Sequence, residues 1–247
     1  MIRIIILATT FLILTLACGQ KSLDQAYSAE RLKFKDASFD VVKVNELATL
    51  EFLSRDENDK PFTSFKAVDA SVPQGDKKLV FATNGGIFEP DFMPSGLYIE
   101  NAKTLSPLNQ KKAKGNFYLE PNGVFFIGET EKNILTTQAF AKAKIPCKTA
   151  IQSGPMLVIK GAIHPKFNED SPNKYIRSGV GINAKGQVIF AISNQPVNLY
   201  HFASLFKERL GCVNALYLDG AISEMYLPTL GRKDKGRAYG SIIAIWE

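Results

Sequence analysis

The chain is poor in the side chains that most often build metal and covalent-catalytic centres: its 247 residues hold two histidines and three cysteines. Neither Cys147 nor Cys212 has a second Cys or a His at the spacing a zinc site needs, which disfavours zinc. His164 stands beside Pro165 and His201 lies in the first turn of a helical stretch, positions that suit structural roles better than ligation. No Pro/Ser-rich linker, internal repeat or low-complexity tract divides the sequence, which leaves one domain as the default. Charge is not of one sign either, since 30 Lys and Arg are scattered among 24 Asp and Glu, for a net charge of +6. Such a balance favours anionic partners weakly, and without aromatic interleaving or a groove motif it does not point to nucleic acid. What is present in quantity is core-forming residues, 45% hydrophobic and 11% aromatic, ample for one sizeable core.

The N-terminus predicts the compartment. "MIRIIILATTFLILTLAC" carries one positive residue, Arg3, then an apolar run from Ile4 to Leu16 that is short for a membrane span, then small residues flanking Cys18. Residues 1–17 therefore read as a cleaved signal peptide, 18–38 as a lipidated N-terminus and polar tether, and 39–247 as the folded domain. Cys18 is similar in placement to the lipidated cysteine of bacterial lipoproteins, although Thr15 stands where such sequences usually carry Leu. The expectation is an exported protein, lipid-anchored in the bacterial cell envelope and held to the membrane through Cys18. In an oxidising compartment Cys147 and Cys212 form an even pair, and a disulfide between them would close a loop of about 65 residues worth roughly 3–5 kcal/mol. The alternative is two separate buried thiols.

Strand signals run almost throughout. "FDVVKV" (39–44), "TLEFL" (49–53), "KLVFAT" (78–83), "GLYIE" (96–100), "NALYLD" (214–219) and "SIIAIWE" (241–247) are short, apolar and β-rich. Three hairpins are predicted: 116–127 turning at Pro121-Asn122-Gly123, 156–163 turning at Lys160-Gly161, and 179–193 turning at Lys185-Gly186. One clear helix lies in "NLYHFASLFKERLG", with Asn198 as its cap, Phe202, Leu205, Phe206 and Leu210 facing inward and Gly211 ending it. The fold class is α+β: one domain of mixed or antiparallel sheets built from hairpins, with few flanking helices.

Four strand ends combine glycine with polar groups: "NGGIF" (84–88), "QSGPML" (152–157), "RSGVGI" (177–182) and "DGAIS" (219–223). Glycine there permits close backbone approach to a ligand, although strand–turn junctions use the same residues for geometry alone. Together they contribute Asn84, Gly85, Gln152, Ser153, Gly154, Arg177, Asp219, Gly220 and Ser223. The basic run "GRKDKGR" (231–237) follows, as either a solvated loop or a lid that draws anions.

This ordered set, Asn-Gly-Gly-x-Phe, Ser-Gly-Pro-x-Leu, Arg-x-Gly-Val-Gly and Leu-Asp-Gly-x-x-Ser, resembles the phosphodiester glycosidase domain family from Phe39 to Trp246. One departure stands out: Ala221 occupies the place where the family usually has a second glycine after its Asp-Gly. The resemblance implies cleavage of the bond between an anomeric carbon and a phosphodiester in a cell-envelope glycan or glycolipid. Most glycosidases need a carboxylic acid to protonate the leaving group, but phosphate departs as a stable anion, so one carboxylate and a donor array suffice. On that basis Asp219 and Arg177 are the catalytic candidates, Arg177 gripping phosphate with its planar fork. Asn84, Gly85, Gln152, Ser153, Gly154, Gly220 and Ser223 would bind substrate, with Tyr175, Glu224 and Asp170 in supporting positions. No cofactor and no metal are implied, a structural cation being left open. The competing reading is a non-catalytic lipoprotein that binds an anionic glycan through the same pocket, for which Ala221 is the motive.

Overall fold

The computed structural model describes residues 25–72, 77–219, 222–235 and 237–247. The strands are, in chain order, β1 (Tyr27–Phe34), β2 (Ala37–Val44), β3 (Leu50–Leu53), β4 (Leu79–Asn84), β5 (Tyr98–Glu100) and β6 (Lys103–Ser106). There follow β7 (Gly123–Gly128), β8 (Lys132–Thr136), β9 (Cys147–Ser153), β10 (Met156–Ile159), β11 (Ala162–Ile163) and β12 (Ser178–Asn183). Last come β13 (Val188–Ser193), β14 (Cys212–Tyr217), β15 (Met225–Leu227), β16 (Arg232–Lys233) and β17 (Ile242–Trp246). Three helices interrupt them: α1 (Phe65–Ser71), α2 (Thr137–Ala143) and α3 (Leu199–Ser204), the last continuing as a π-helical turn over Leu205–Arg209.

The strands form three antiparallel sheets, ordered β1-β2-β13-β12-β14-β10-β11, β16-β15-β4-β17-β3 and β6-β5-β9-β7-β8. Period-two alternation assigns each strand an inner and an outer face. On β17 Ile243 and Ile245 enter a core shared with Phe125 of β7 and Phe190 of β13, whereas Ile242, Ala244 and Trp246 face away from it. One helix covers each outer face: α1 sets Phe65 and Val68 on β4 and β17, α2 sets Phe140 beside Val124 and Phe126, and α3 sets Phe202 against Tyr217 and Leu157. The result is one α+β domain of three sheets around a common core. Asn198 caps α3 as expected, its Oδ1 accepting the His201 N–H at 2.8 Å, and Gly211 closes the following turn at φ +64°.

Three expectations change. The domain begins earlier than residue 39, because Tyr27–Phe34 pairs along its whole length with β2 and buries Tyr27 and Leu32. Of its other side chains only Ala29 and Phe34 are apolar, and the charges among them make the strand read as tether. The hairpin at 116–127 does not form: the chain turns at Gly115–Leu119, and β7 finds its partners in β8 and β9 instead. The disulfide is absent, and both thiols are free. Cys147 packs in the cluster under α2 with its Sγ–H aimed at the Ile145 carbonyl, while Cys212 packs against Phe206 under α3, so the two belong to different cores. Residues 1–17 and Cys18 lie outside the described residues.

The basic segment is tied down. β16 pairs with β15, and Arg232 bonds Asp40, Asn194 and Asp234, which joins the five-stranded sheet to the seven-stranded one. Asp40 is fully buried on β2 and also receives Arg31. Burial alone would raise its pKa, but the bonds from Arg31, Asn194 and Arg232 outweigh burial and hold it below the usual carboxylate range. A carboxyl depressed in this way stabilises the fold above its unfolded pKa and loses that contribution as pH falls through the folded value. Asp40→Asn is expected to cost about 2–4 kcal/mol at neutral pH, discounted because Arg31 is half exposed. Urea denaturation from neutral pH to pH 3 should show the gap to wild type closing below about pH 4; a constant gap would mean that the carboxylate's charge contributes nothing.

Candidate functional site

The chain leaves the seven-stranded sheet after Tyr217 and enters the five-stranded sheet at Met225, and the candidate site is built around that crossing. The carbonyl of Asp219 accepts from the Ser223 hydroxyl and, at 3.4 Å, from the Ser178 hydroxyl. Ser223 Oγ in turn accepts the Ser178 N–H at 3.0 Å. One residue on, Glu224 accepts the Asn84 N–H at 3.3 Å and returns its own N–H to Asn84 Oδ1 at 3.1 Å. Thr83 Oγ1 adds a bond to the Glu224 carbonyl. Asp219, Ser223 and Asn84 are thereby brought into one connected cluster, with Ser178 and Glu224 as the links. Gly220 and Ala221 lie outside the described residues.

Glycines let the surrounding chain close in. Gly85 donates its N–H to the Ser241 carbonyl at 2.8 Å, and a Cβ there would meet Ser241 Oγ at 2.1 Å. At Gly86 a Cβ would meet the Gln152 carbonyl at 3.0 Å, and at Gly154 it would strike Asn122 and the Phe117 carbonyl, each at 2.7 Å. The motifs around residues 84 and 152 therefore touch each other and the start of β17. Ser153 is fully buried and donates to the Leu218 carbonyl at 2.7 Å, one residue before Asp219.

The side chains divide by what they hold. Asp219 is nearly buried, and its Oδ1 accepts the Ile222 N–H at 3.4 Å. Gln152 is closed on itself: its Oε1 accepts from the backbones of Leu97 and Asn109, and its Nε2 donates to the Asn109 carbonyl and Thr137 Oγ1. Its amide staples the 97–109 region onto β9, while its backbone carbonyl lies beside Gly86.

Arg177 differs most from the expected open fork. It is 1% exposed, and its guanidinium donates from Nε to the Val197 carbonyl at 2.7 Å, from Nη1 to the Tyr217 hydroxyl at 2.7 Å, and from Nη2 to the carbonyl and Oδ1 of Asn173, each at 2.9 Å. The fork is turned inward, where it fixes the loop before β12 to β14. The Tyr217 hydroxyl feels both neighbours: burial pushes its pKa up, the Arg177 charge opposes that, and the Asp219 charge adds to it.

Two residues gained weight only from the structure. Glu224 joins the cluster through its peptide group, while its carboxylate accepts the Tyr239 hydroxyl; burial and that bond both raise the tyrosine's pKa. The Ser241 hydroxyl is buried beside Gly85 with no hydrogen-bond partner among the described residues. Nothing in sequence singles out Ser241, and Glu224 enters mainly through its backbone. His164 is stacked on Phe167 at 4.7 Å, and burial lowers its pKa.

Comparison with known proteins places this arrangement. Residues 77–246 match the family described as phosphodiester glycosidase. An uncharacterized Escherichia coli K12 protein, YigE, is 42% identical over 150 residues, which covers 61% of this chain and 59% of that protein. The chain thus matches less than two thirds of that relative's length. Among solved structures, the catalytic domain of zebrafish N-acetylglucosamine-1-phosphodiester alpha-N-acetylglucosaminidase, auto-inhibited by its pro-peptide, superposes with a TM-score of 0.61 at 16% identity, over 90% of this chain and 82% of that one. A hypothetical protein from Synechocystis gives 0.54 at 12% identity, over 89% of this chain and 61% of that one. At these identities the likeness is one of fold.

The inward fork of Arg177 has a measurable consequence. Arg177→Ala should lower stability by about 3–5 kcal/mol, because it strips partners from the Tyr217 hydroxyl and the Val197 and Asn173 carbonyls. Arg177→Lys should fall short by a similar amount, since one ammonium cannot span acceptors that three guanidinium nitrogens reach. Urea denaturation of both variants measures this; wild-type midpoints would mean the guanidinium is not a structural support.

Proposed function

The chain belongs to the phosphodiester glycosidase family, and on that premise we propose that it is an exported hydrolase of sugar-1-phosphodiesters, acting on an anionic glycan or glycolipid of the cell envelope. The observation that carries this reading is the convergence of the family's polar motifs on the Asp219 crossing, at the ends of β4, β9, β12 and β14. In the proposed reaction a water oxygen bonds to the anomeric carbon as the bond to the phosphate oxygen breaks. The electron pair leaves on the phosphate monoester, and the water proton passes to the base or to solvent.

Asp219 takes the charged role in this scheme, as base toward the water or as partner of the oxocarbenium-like carbon. The Asn84 amide, whose Nδ2 gives one N–H to the Gly85 carbonyl and keeps a second, meets the developing phosphate charge, while Ser223 and Gly85, whose own donors are taken by the Asp219 and Ser241 carbonyls, shape the crossing around it. Ser153 and Gln152 hold the walls, and Gly154 lets the turn after β9 pack onto Asn122 and Phe117. Arg177 acts at one remove: its charge is buried against Tyr217, two residues from Asp219, and sustains a positive field behind the site. Anchoring through Cys18 would hold the domain near its substrate at the membrane, with residues 1–17 removed. The Ala221 departure supports the second reading, a glycan-binding lipoprotein without turnover, and the same experiment separates the two.

Purified protein lacking residues 1–17 is expected to release reducing sugar from members of a panel of sugar-1-phosphodiesters. Asp219→Asn should lower kcat/KM by about 10²- to 10⁴-fold with the melting temperature unchanged, because shape is kept and charge removed. Turnover at the wild-type rate by the Asn variant would assign Asp219 to the turn alone. Binding of the panel without any release of sugar would favour the non-catalytic reading.

A further inference from the structure

Among the described residues, the large hydrophobic side chains that stand exposed are Tyr175 and Val213, and Tyr175 is the more open at 52%. It is far from loose. Its N–H donates to the Val197 carbonyl at 3.1 Å and its carbonyl accepts the Val197 N–H at 2.9 Å, so the backbone is bridged on both sides. The ring lies over the Arg177 guanidinium, 5.5 Å from centroid to Cζ, and that guanidinium is itself fixed by four bonds. Two of those bonds hold Asn173, so the segment leading into Tyr175 is also tethered. A rigidly mounted aromatic with one face on a buried cation and the other toward water has given up apolar burial that the fold could have used.

Its position gives the exposure a purpose. Ser178, which bonds Ser223 and Asp219, is three residues away, at most about 10 Å along the chain. Arg177 also lies 5.3 Å from the centroid of Tyr217, two residues before Asp219. Tyr175, Arg177, Tyr217 and Asp219 therefore form a continuous run from solvent to the crossing. We propose that Tyr175 is the platform on which the sugar ring of the substrate stacks, its open face meeting the C–H face of the pyranose while the phosphate side of the substrate lies toward the Asn84 amide. The ring is neutral and flat, which suits an uncharged saccharide face and not a phosphate. This positioning role rests on the hydrolase reading for its kinetic consequences but not for the binding itself.

The test compares Tyr175→Ala, Tyr175→Leu, Tyr175→Phe and Tyr175→Trp. With a sugar-1-phosphodiester that the wild type hydrolyses, Ala and Leu should raise KM by about 5- to 10-fold with kcat within about twofold, while Phe and Trp stay near wild type. Leucine keeps an apolar cover on Arg177, so a loss shared by Ala and Leu at unchanged melting temperature is not a folding defect. Independently, titration of the full mature chain with methyl α-N-acetylglucosaminide, methyl α-glucoside or methyl α-galactoside should shift the Tyr175 ring signals in NMR, and inorganic phosphate should not. If no phosphodiester is hydrolysed and a methyl glycoside still shifts Tyr175, the platform stands and the hydrolase reading falls. If hydrolysis is robust but KM is the same in Ala, Leu and wild type, the platform falls and the hydrolase reading stands. Equal losses in Phe and Ala, or no glycoside effect on the ring signals, would also overturn the platform.

Discussion

The exchange between Asn84 and Glu224 is the constraint on which the rest of this molecule depends. β15 pairs with β4 in the five-stranded sheet, and this exchange carries that pairing one residue back into the short crossing from β14, which must otherwise hold its own polar groups without a regular ladder. A side-chain amide solves the problem by acting as a second peptide group: Asn84 accepts at Oδ1 what a neighbouring strand's carbonyl would accept, while its backbone donates in the usual sense. Ser223 does the same for the Asp219 carbonyl and the Ser178 N–H. Side chains thus continue the hydrogen bonding past the point where the sheets diverge, and a rigid polar cluster is left at the junction of three sheets.

The same economy explains the buried arginine. A guanidinium placed among neutral acceptors is costly to desolvate, and it persists here because its directional donors reach Val197, Asn173 and Tyr217 at once. Hydrophobic packing could fill that space, but it could not orient the loop before β12 relative to β14 with comparable specificity. The clamp of Asp40 by Arg31 and Arg232 plays an equivalent part in the middle of β2. Sheet positions are set by apolar alternation, and the joints between sheets are set by a few buried ionic or amide side chains.

Legibility in the sequence followed that division. Strands such as Leu79–Asn84 and Ile242–Trp246 were readable because they are almost wholly buried and rich in β-formers, and α3 was readable through its Asn198 cap and four inward residues. β1 was not, since only Tyr27 and Leu32 of its eight residues are buried and its charges resemble a linker. α1 and α2 are seven residues each, about two turns, too short to declare a period. At the site, glycine and polar punctuation marked Asn84, Asp219 and Ser223 correctly as neighbours. It could not tell which way Arg177 points, because a fork that grips a phosphate and one that grips four protein acceptors are spelled by the same residue. Glu224 was under-read for a related reason: half of its contribution comes from its peptide group, which carries no signature.

The two free thiols bear on how such a domain is made. Burial pushes the Cys147 thiol up to about 11 and the Cys212 thiol up to about 12, so neither offers an appreciable thiolate at neutral pH. Oxidants and exchange enzymes act on thiolates, and these two sulfurs sit in separate cores, neither facing another thiol among the described residues. The domain as described is held by packing and hydrogen bonding alone, with no covalent bridge between Cys147 and Cys212 to be scrambled.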